Sequence, residues 1–131
     1  MRPEDYEFSV TMETRDYECD AQGIVNNANY QHYLEVARHK WIQQKGTSFA
    51  ELHERGVDFI VAEINIKYLT PLHGQEEFIC CLNFKRESPR FIFEQEIFRK
   101  SDSKPVARAR VISACLVNGV PTRGDEVSEL L

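Results

Sequence analysis

The stretch Glu18–Tyr30 reads ECDAQGIVNNANY and places Asp20 between a strand-like run and a helix-like run. A carboxylate in such a place could take a proton from water or attack an electrophilic carbon itself. The same residue type before a glycine also serves simply to hold a turn or cap a helix. The local residues leave both uses open.

The other reactive side chains are less ordered in sequence. His32 and His39 lie seven residues apart on one helical face, and His53 and His73 fall in loops. With no third ligand at a fitting spacing, no metal site is expected. Cys19, Cys80, Cys81 and Cys115 match no CxxC zinc or redox pattern. Cys80 and Cys81 are adjacent in a strand-like segment, so their side chains should face opposite sides, and buried free thiols are expected.

The elements that would position these groups can be read from periodicity. The chain has 131 residues, 42% of them hydrophobic and 28% charged, which suits a single domain spanning 1–131. A formal net charge of −5 argues against nucleic acid as a partner, because a phosphate backbone needs a concentrated basic face. No apolar run is long enough to span a bilayer, and MRPEDYEF lacks the apolar core of a signal peptide. No membrane insertion and a cytoplasmic location are therefore expected.

Residues 7–17 alternate Phe8, Val10 and Met12 against polar neighbours, as a half-buried strand does. From Tyr30 the period changes. Tyr30, Tyr33, Leu34, Ala37 and Trp41 form a helical stripe, with Arg38 and Glu35 off it, Asn27 or Asn29 as the cap and Gly46 as the stop. Glu35 and Arg38 read as an i, i+3 surface pair. The segment SFAELHERG suggests a further turn or two of helix, closed at Gly56. Segments 57–69, 76–86, 90–100 and 105–118 then read as strands separated by short turns. In the last of them Ala107, Ala109, Val111, Ser113 and Cys115 share a face small enough for a helix to approach closely. One strand, one long helix and four strands in that order predict an α+β arrangement with an antiparallel sheet, not a doubly wound parallel one.

DAQGIVNNANY (20–30), YLEVAR (33–38), YLTP (68–71), RFIFEQEIFR (90–99) and NGVPTR (118–123) together resemble the 4-hydroxybenzoyl-CoA thioesterase-like branch of hotdog-fold acyl-CoA thioesterases. The resemblance runs over nearly the whole chain, and its first motif is the most specific. It implies a hotdog fold, in which an antiparallel five-stranded sheet wraps one long central helix. It also implies a homodimer or homotetramer formed by pairing sheets.

The implied activity is hydrolysis of an acyl- or aryl-CoA thioester to free acid and coenzyme A. Acyl thioesters of acyl carrier protein are the variant substrate, and a non-catalytic thioester-binding module is the alternative. Asp20 matches the second acidic position of a D-x-D-like segment and is implied to be the base or nucleophile, while Glu18 at the first is assigned no catalysis. The oxyanion donor would be the Asn27 backbone N–H, with Gly23 making the close turn before it. Relatives often carry a histidine where this chain has Ile24 or Asn27, so Asp20 is the sole acid-base candidate in the motif. Tyr30 and Tyr33 would line the acyl or aryl pocket, and Glu35 of the E-x-A-R segment could line the site. For the coenzyme A phosphates, Lys85, Arg86 and Arg90 around Ser88-Pro89 are the foremost basic candidates, ahead of Arg99, Arg108 and Arg110, and a partner chain could supply them. No cofactor is implied, since coenzyme A is part of substrate and product.

Overall fold

The structure is a computed structural model that describes residues 1–128 and 131. The chain begins with β1 (Phe8–Glu13), followed after a loop by α1 (Asn27–Gln44) and the short α2 (Phe49–Glu54). The strands β2 (Val57–Tyr68), β3 (Glu77–Glu87), β4 (Arg90–Arg99), β5 (Pro105–Val117) and β6 (Val120–Thr122) complete it. The sheet is antiparallel throughout, in the order β1-β3-β4-β5-β2, and β6 pairs with the end of β5. The expected five strands are all present. The sixth is a three-residue return after the Asn118-Gly119 turn, too short to show a period in sequence.

Helix α1 lies against the concave face of this sheet. Tyr30, Tyr33, Leu34 and Ala37 pack with Phe78, Cys80, Ile97, Ala107 and Ala109 at one end. Trp41 and Ile42 pack with Leu82, Phe91, Phe93, Val111 and Cys115 at the other. The alanines of β5 thus sit where the tyrosines of α1 come closest, as their size allows. The helix stops at Gly46, whose φ of +92° needs no Cβ and whose N–H closes on the Gln43 carbonyl at 3.0 Å. All four cysteines are free; Cys80 faces the helix and Cys81 the outer side, near the Pro3 carbonyl. No helix among the described residues is long and apolar enough to cross a membrane.

Three local readings shift. β1 ends at Glu13, since a 3-10 turn at Asp16–Glu18 takes over the segment. The helix starts at Asn27, and its cap is Asn26, whose side chain accepts the Ala28 N–H at 3.0 Å. Arg38 is buried, and its Nη1 donates to Gln95 Oε1 on β4 at 2.9 Å. The curled sheet covers a wider arc of α1 than the apolar stripe marks. Glu35 turns instead toward His39, 3.6 Å away.

Trp41 is 1% exposed, with its ring centroid 4.8 Å from Phe84 and 5.2 Å from Phe93. Trp41→Ala is expected to destabilise the fold by about 3–5 kcal/mol, because the surrounding strands cannot collapse fully into the space. Urea unfolding followed by circular dichroism measures it. A loss below about 1 kcal/mol would mean that this end of the core is loosely packed.

Candidate functional site

The segment 14–30 is folded by its own backbone into a rigid entrance to α1. Cys19 and Val25 form an isolated antiparallel bridge that closes a small loop over Asp20–Ile24. Within it the Asp20 N–H donates to the Ile24 carbonyl at 2.9 Å, and the Gly23 N–H to the Asp20 carbonyl at 3.0 Å. Gly23 has φ +77°, the left-handed value that this turn requires. The loop is held to the 69–73 segment by Val25 N–H on the Leu72 carbonyl at 2.8 Å.

The Asp20 carboxylate is half-buried, and its Oδ1 accepts the Gln22 N–H at 2.9 Å. This is the turn-holding role of an aspartate, and it uses only part of the acceptor capacity of the group. The Gln22 carboxamide reaches both carboxylate oxygens at 3.0 Å when its NH2 group faces them. Asp20 therefore presents a carboxylate covered by one mobile-length polar side chain from its own loop.

Asn27 is the first residue of α1. Among the described residues nothing accepts from its N–H, whereas the next two are taken up by Asn26: Ala28 N–H by the side chain at 3.0 Å and Asn29 N–H by the carbonyl at 2.9 Å. The free N–H lies at the positive end of an 18-residue helix. It also borders a cleft of about 250 Å³ walled by Tyr30, Tyr68, Pro71 and Val106.

Glu18 ties these parts together. It is 7% exposed, and its carboxylate receives the Tyr33 hydroxyl at 2.7 Å, the Arg15 N–H at 2.7 Å and the Arg15 guanidinium at 3.2 Å. Its carbonyl accepts both the Asn26 N–H and the Asn29 side-chain amide at 2.9 Å. The cap residue, the helix body and the 3-10 turn that leads to Asp20 are thus fixed to one residue. Burial, and then the bond to Glu18, pushes the Tyr33 phenol above its ordinary pKa, so it remains a donor. Asn26 and Asn29 thus tie the loop to the helix.

The expected site residues are only partly brought together. Asp20, Gly23, Asn27 and Tyr30 share the helix entrance. Tyr30 is 3% exposed, accepts the Leu72 N–H at 3.2 Å and stands 5.6 Å from the Tyr68 ring. Tyr33 is buried one turn deeper, its hydroxyl engaged with Glu18. Glu35 faces a separate groove beside β2. Arg86 is ion-paired with Asp125, donates to the Arg123 carbonyl at 2.7 Å and covers Phe91. Arg90 is exposed at the start of β4. Both arginines lie near the far end of β3 from the Asp20 loop, about 30 Å away at 3.3 Å per strand residue. Lys85 is held by Glu87 and Glu94 at 3.1 and 3.0 Å. Glu18 as the central tie and Tyr68 as a cleft wall had no signal in the sequence strong enough to mark them. Among the described residues no group of three or more His, Cys, Asp or Glu is placed to share a metal ion.

Residues 14–126 match the family described as the thioesterase-like superfamily. The chain belongs to the thioesterase-like superfamily. A putative esterase of Aquifex aeolicus is 31% identical to this thioesterase-like chain over 116 residues, 88% of this chain and 90% of that one. The chloroplastic acyl-acyl carrier protein thioesterase ATL3 of Arabidopsis thaliana is 31% identical over 110 residues, 83% of this chain. The match spans 58% of the length of that relative. Among solved structures, a hypothetical protein of Aquifex aeolicus superposes with a TM-score of 0.87 at 29% identity, covering 95% of this chain and 98% of that one. The sheet curled around α1 is the hotdog fold, and Asp20, Asn27 and the Glu18 tie all fall inside the segment that matches the superfamily.

Proposed function

We propose that this protein hydrolyses acyl- or aryl-CoA thioesters to free acid and coenzyme A, with the acyl carrier protein thioester as the variant substrate. The observation that carries the reading is the pairing, on one rigid loop, of a carboxylate with spare acceptor capacity and a free N–H at a helix start. The thioester carbonyl oxygen accepts from the Asn27 N–H, which strengthens as negative charge develops on it. Asp20 takes the proton of an attacking water; the tetrahedral intermediate then collapses, the C–S bond breaks and the proton passes to the departing thiolate. In the other route Asp20 Oδ2 attacks the carbonyl, expels the thiolate and leaves an anhydride that water opens. Neither route calls for a cofactor.

The reading includes a homodimer. β2 is an edge of the sheet and exposes Ile60, Val61 and Tyr68, with Leu69 exposed just beyond its end, a long apolar edge of the kind that natural sheets cover. A two-fold axis through β2 would place the Arg90 end of one protomer beside the Asp20 end of the other. That is the arrangement in which Arg90 reaches the coenzyme A phosphates, with Arg86 available only if it leaves Asp125.

Thiol release measured across short, long and aromatic acyl-CoAs and an acyl carrier protein thioester tests the proposal. The expected result is one free thiol per acid formed with at least one class. Tight binding without release from any of them would make the protein a thioester-binding module instead.

A further inference from the structure

Arg38 is the charged side chain that neither the fold nor the reaction above accounts for. It is 9% exposed, and its hydrogen bond goes to a neutral group, Gln95 Oε1, while Nε2 of the same amide donates to the Leu34 carbonyl at 3.0 Å and holds it in place. Among the described residues no carboxylate is ion-paired with it. Glu35, three residues earlier, supplies a favourable field, but its carboxylate is exposed and turned to His39. Burial pulls the guanidinium below its ordinary pKa, and the field of Glu35 offsets that only in part, as for a cation that has lost water without gaining a hydrogen-bonded counter-ion. A charge in that condition is costly, and an oxyanion in the fork of the guanidinium relieves it.

The space for such a group is present. A groove of about 410 Å³ runs between α1 and β2, from Ala28 through Gln31, His32 and Glu35 to Arg38, with Val61 and Ile64 as its apolar wall; the Glu35 carboxylate on its rim is paired with His39, which leaves the Arg38 guanidinium as the group for an anion. Arg38 also borders a smaller pit of about 130 Å³ whose walls include Phe49, Phe59 and Phe93. The groove starts one residue after Asn27. Ala28 and Arg38 are ten helical steps apart, about 15 Å along the axis, and the arginine side chain leans back toward the N-terminus.

We propose that Arg38 binds an oxyanion carried by the thioester roughly 10–15 Å from its scissile carbonyl, along the α1/β2 groove. The oxyanion is either a carboxylate on the acyl tail or a phosphate on the pantetheine arm. The placement of the carbonyl rests on the proposed function, whereas the binding of the oxyanion does not need turnover.

Four non-hydrolysable thioethers separate the sources: an octyl chain and an eight-carbon chain ending in carboxylate, each on coenzyme A and each on pantetheine. Binding is read from the fluorescence of Trp41, the single tryptophan, three residues from Arg38. Arg38→Met, which keeps length without charge, is expected to weaken only the ligands bearing the recognised oxyanion, by about 10–100-fold. A loss confined to the carboxylate-tailed pair assigns the acyl tail, and one confined to the coenzyme A pair assigns the carrier phosphate. Arg38→Lys keeps the charge but not the fork, so a smaller loss confined to the same ligands is expected, even if the methionine variant does not fold. Equal weakening of the neutral pantetheine ligand would overturn the proposal in favour of a packing role. Dissociation of an oligomer with ligand affinities unchanged would overturn it in favour of a carboxylate from a second copy. Wild-type binding of all four thioethers alongside inert thioesters would sink the hydrolase reading and leave this one standing.

Discussion

Replacing Asp20 by asparagine is expected to lower kcat by about 10²–10⁴-fold, the range that a positioned acid-base group supplies. The substitution is clean at this site. Asp20 Oδ1 accepts the Gln22 N–H at 2.9 Å, and an asparagine carbonyl oxygen in the same rotamer accepts it equally. The loop is otherwise held by backbone bonds from Asp20 N–H to the Ile24 carbonyl and from Gly23 N–H to the Asp20 carbonyl, which the side chain does not touch. Unfolding free energy should therefore change by no more than about 0.5 kcal/mol. KM should move little, because the group acts on water or on the carbonyl carbon and not on the carrier. Thiol release at saturating acyl-CoA, beside a urea unfolding curve, measures both quantities. Wild-type turnover in Asp20→Asn would leave the carboxylate as a turn residue only. A single turnover of wild type in ¹⁸O-water tests the anhydride route: water opening the anhydride at the Asp20 carboxyl carbon leaves an enzyme oxygen in the product acid and ¹⁸O in Asp20, whereas direct attack of water on the thioester puts ¹⁸O in the acid and none in Asp20.

What was legible in the sequence was what depends on local period. The stripe Tyr30, Tyr33, Leu34, Ala37 and Trp41 is buried as a unit, and the small face of β5 receives it. The order of strands and helix then leaves few antiparallel sheets to choose from, and the hotdog arrangement follows. Periodicity fails where burial is decided by a partner far along the chain. Arg38 is only 100° around the helix from Ala37, so it reads as the shoulder of the stripe; Gln95, 57 residues later, makes it an inside residue. Asn27 and Asn29 read as the candidate caps, yet Asn26 takes the position, its N–H fixed by the Glu18 carbonyl. Glu18 itself reads as a minor departure from a motif, yet its hydrogen bonds to Tyr33 and Asn29 connect the two halves of the candidate site. The cluster at Lys85, Arg86 and Arg90 is compact in sequence for a reason that concerns the hairpin: Lys85 pairs across it with Glu94, and Arg86 fastens the segment at Asp125. Only Arg90 of the three remains uncommitted among the described residues.

The Asn27 backbone N–H can be deleted without disturbing the helix that carries it. Asn27→Pro is expected to lower kcat by about 10²–10³-fold, the usual effect of removing one oxyanion donor. Proline is favoured at the first position of a helix, where the missing N–H would have no intrahelical partner and φ is already near the proline value. The residue before a proline must be extended, and Asn26 has φ −64° and ψ 137°. Its cap bond to the Ala28 N–H and its carbonyl bond to the Asn29 N–H involve no atom that the substitution removes. The Asn27 side chain is exposed and makes no recorded hydrogen bond, so Asn27→Ala, which keeps the N–H, should stay within about threefold of wild type. The contrast between the two variants isolates the backbone group. The loss should fall on kcat more than on KM, because the oxyanion forms after the substrate is bound. Equal activity of the proline and alanine variants, with both fully folded, would remove the helix start from the mechanism and leave the charge on the carbonyl oxygen to be stabilised elsewhere. A double variant no slower than the slower of the two single ones would mean that the carboxylate and the N–H act in one step.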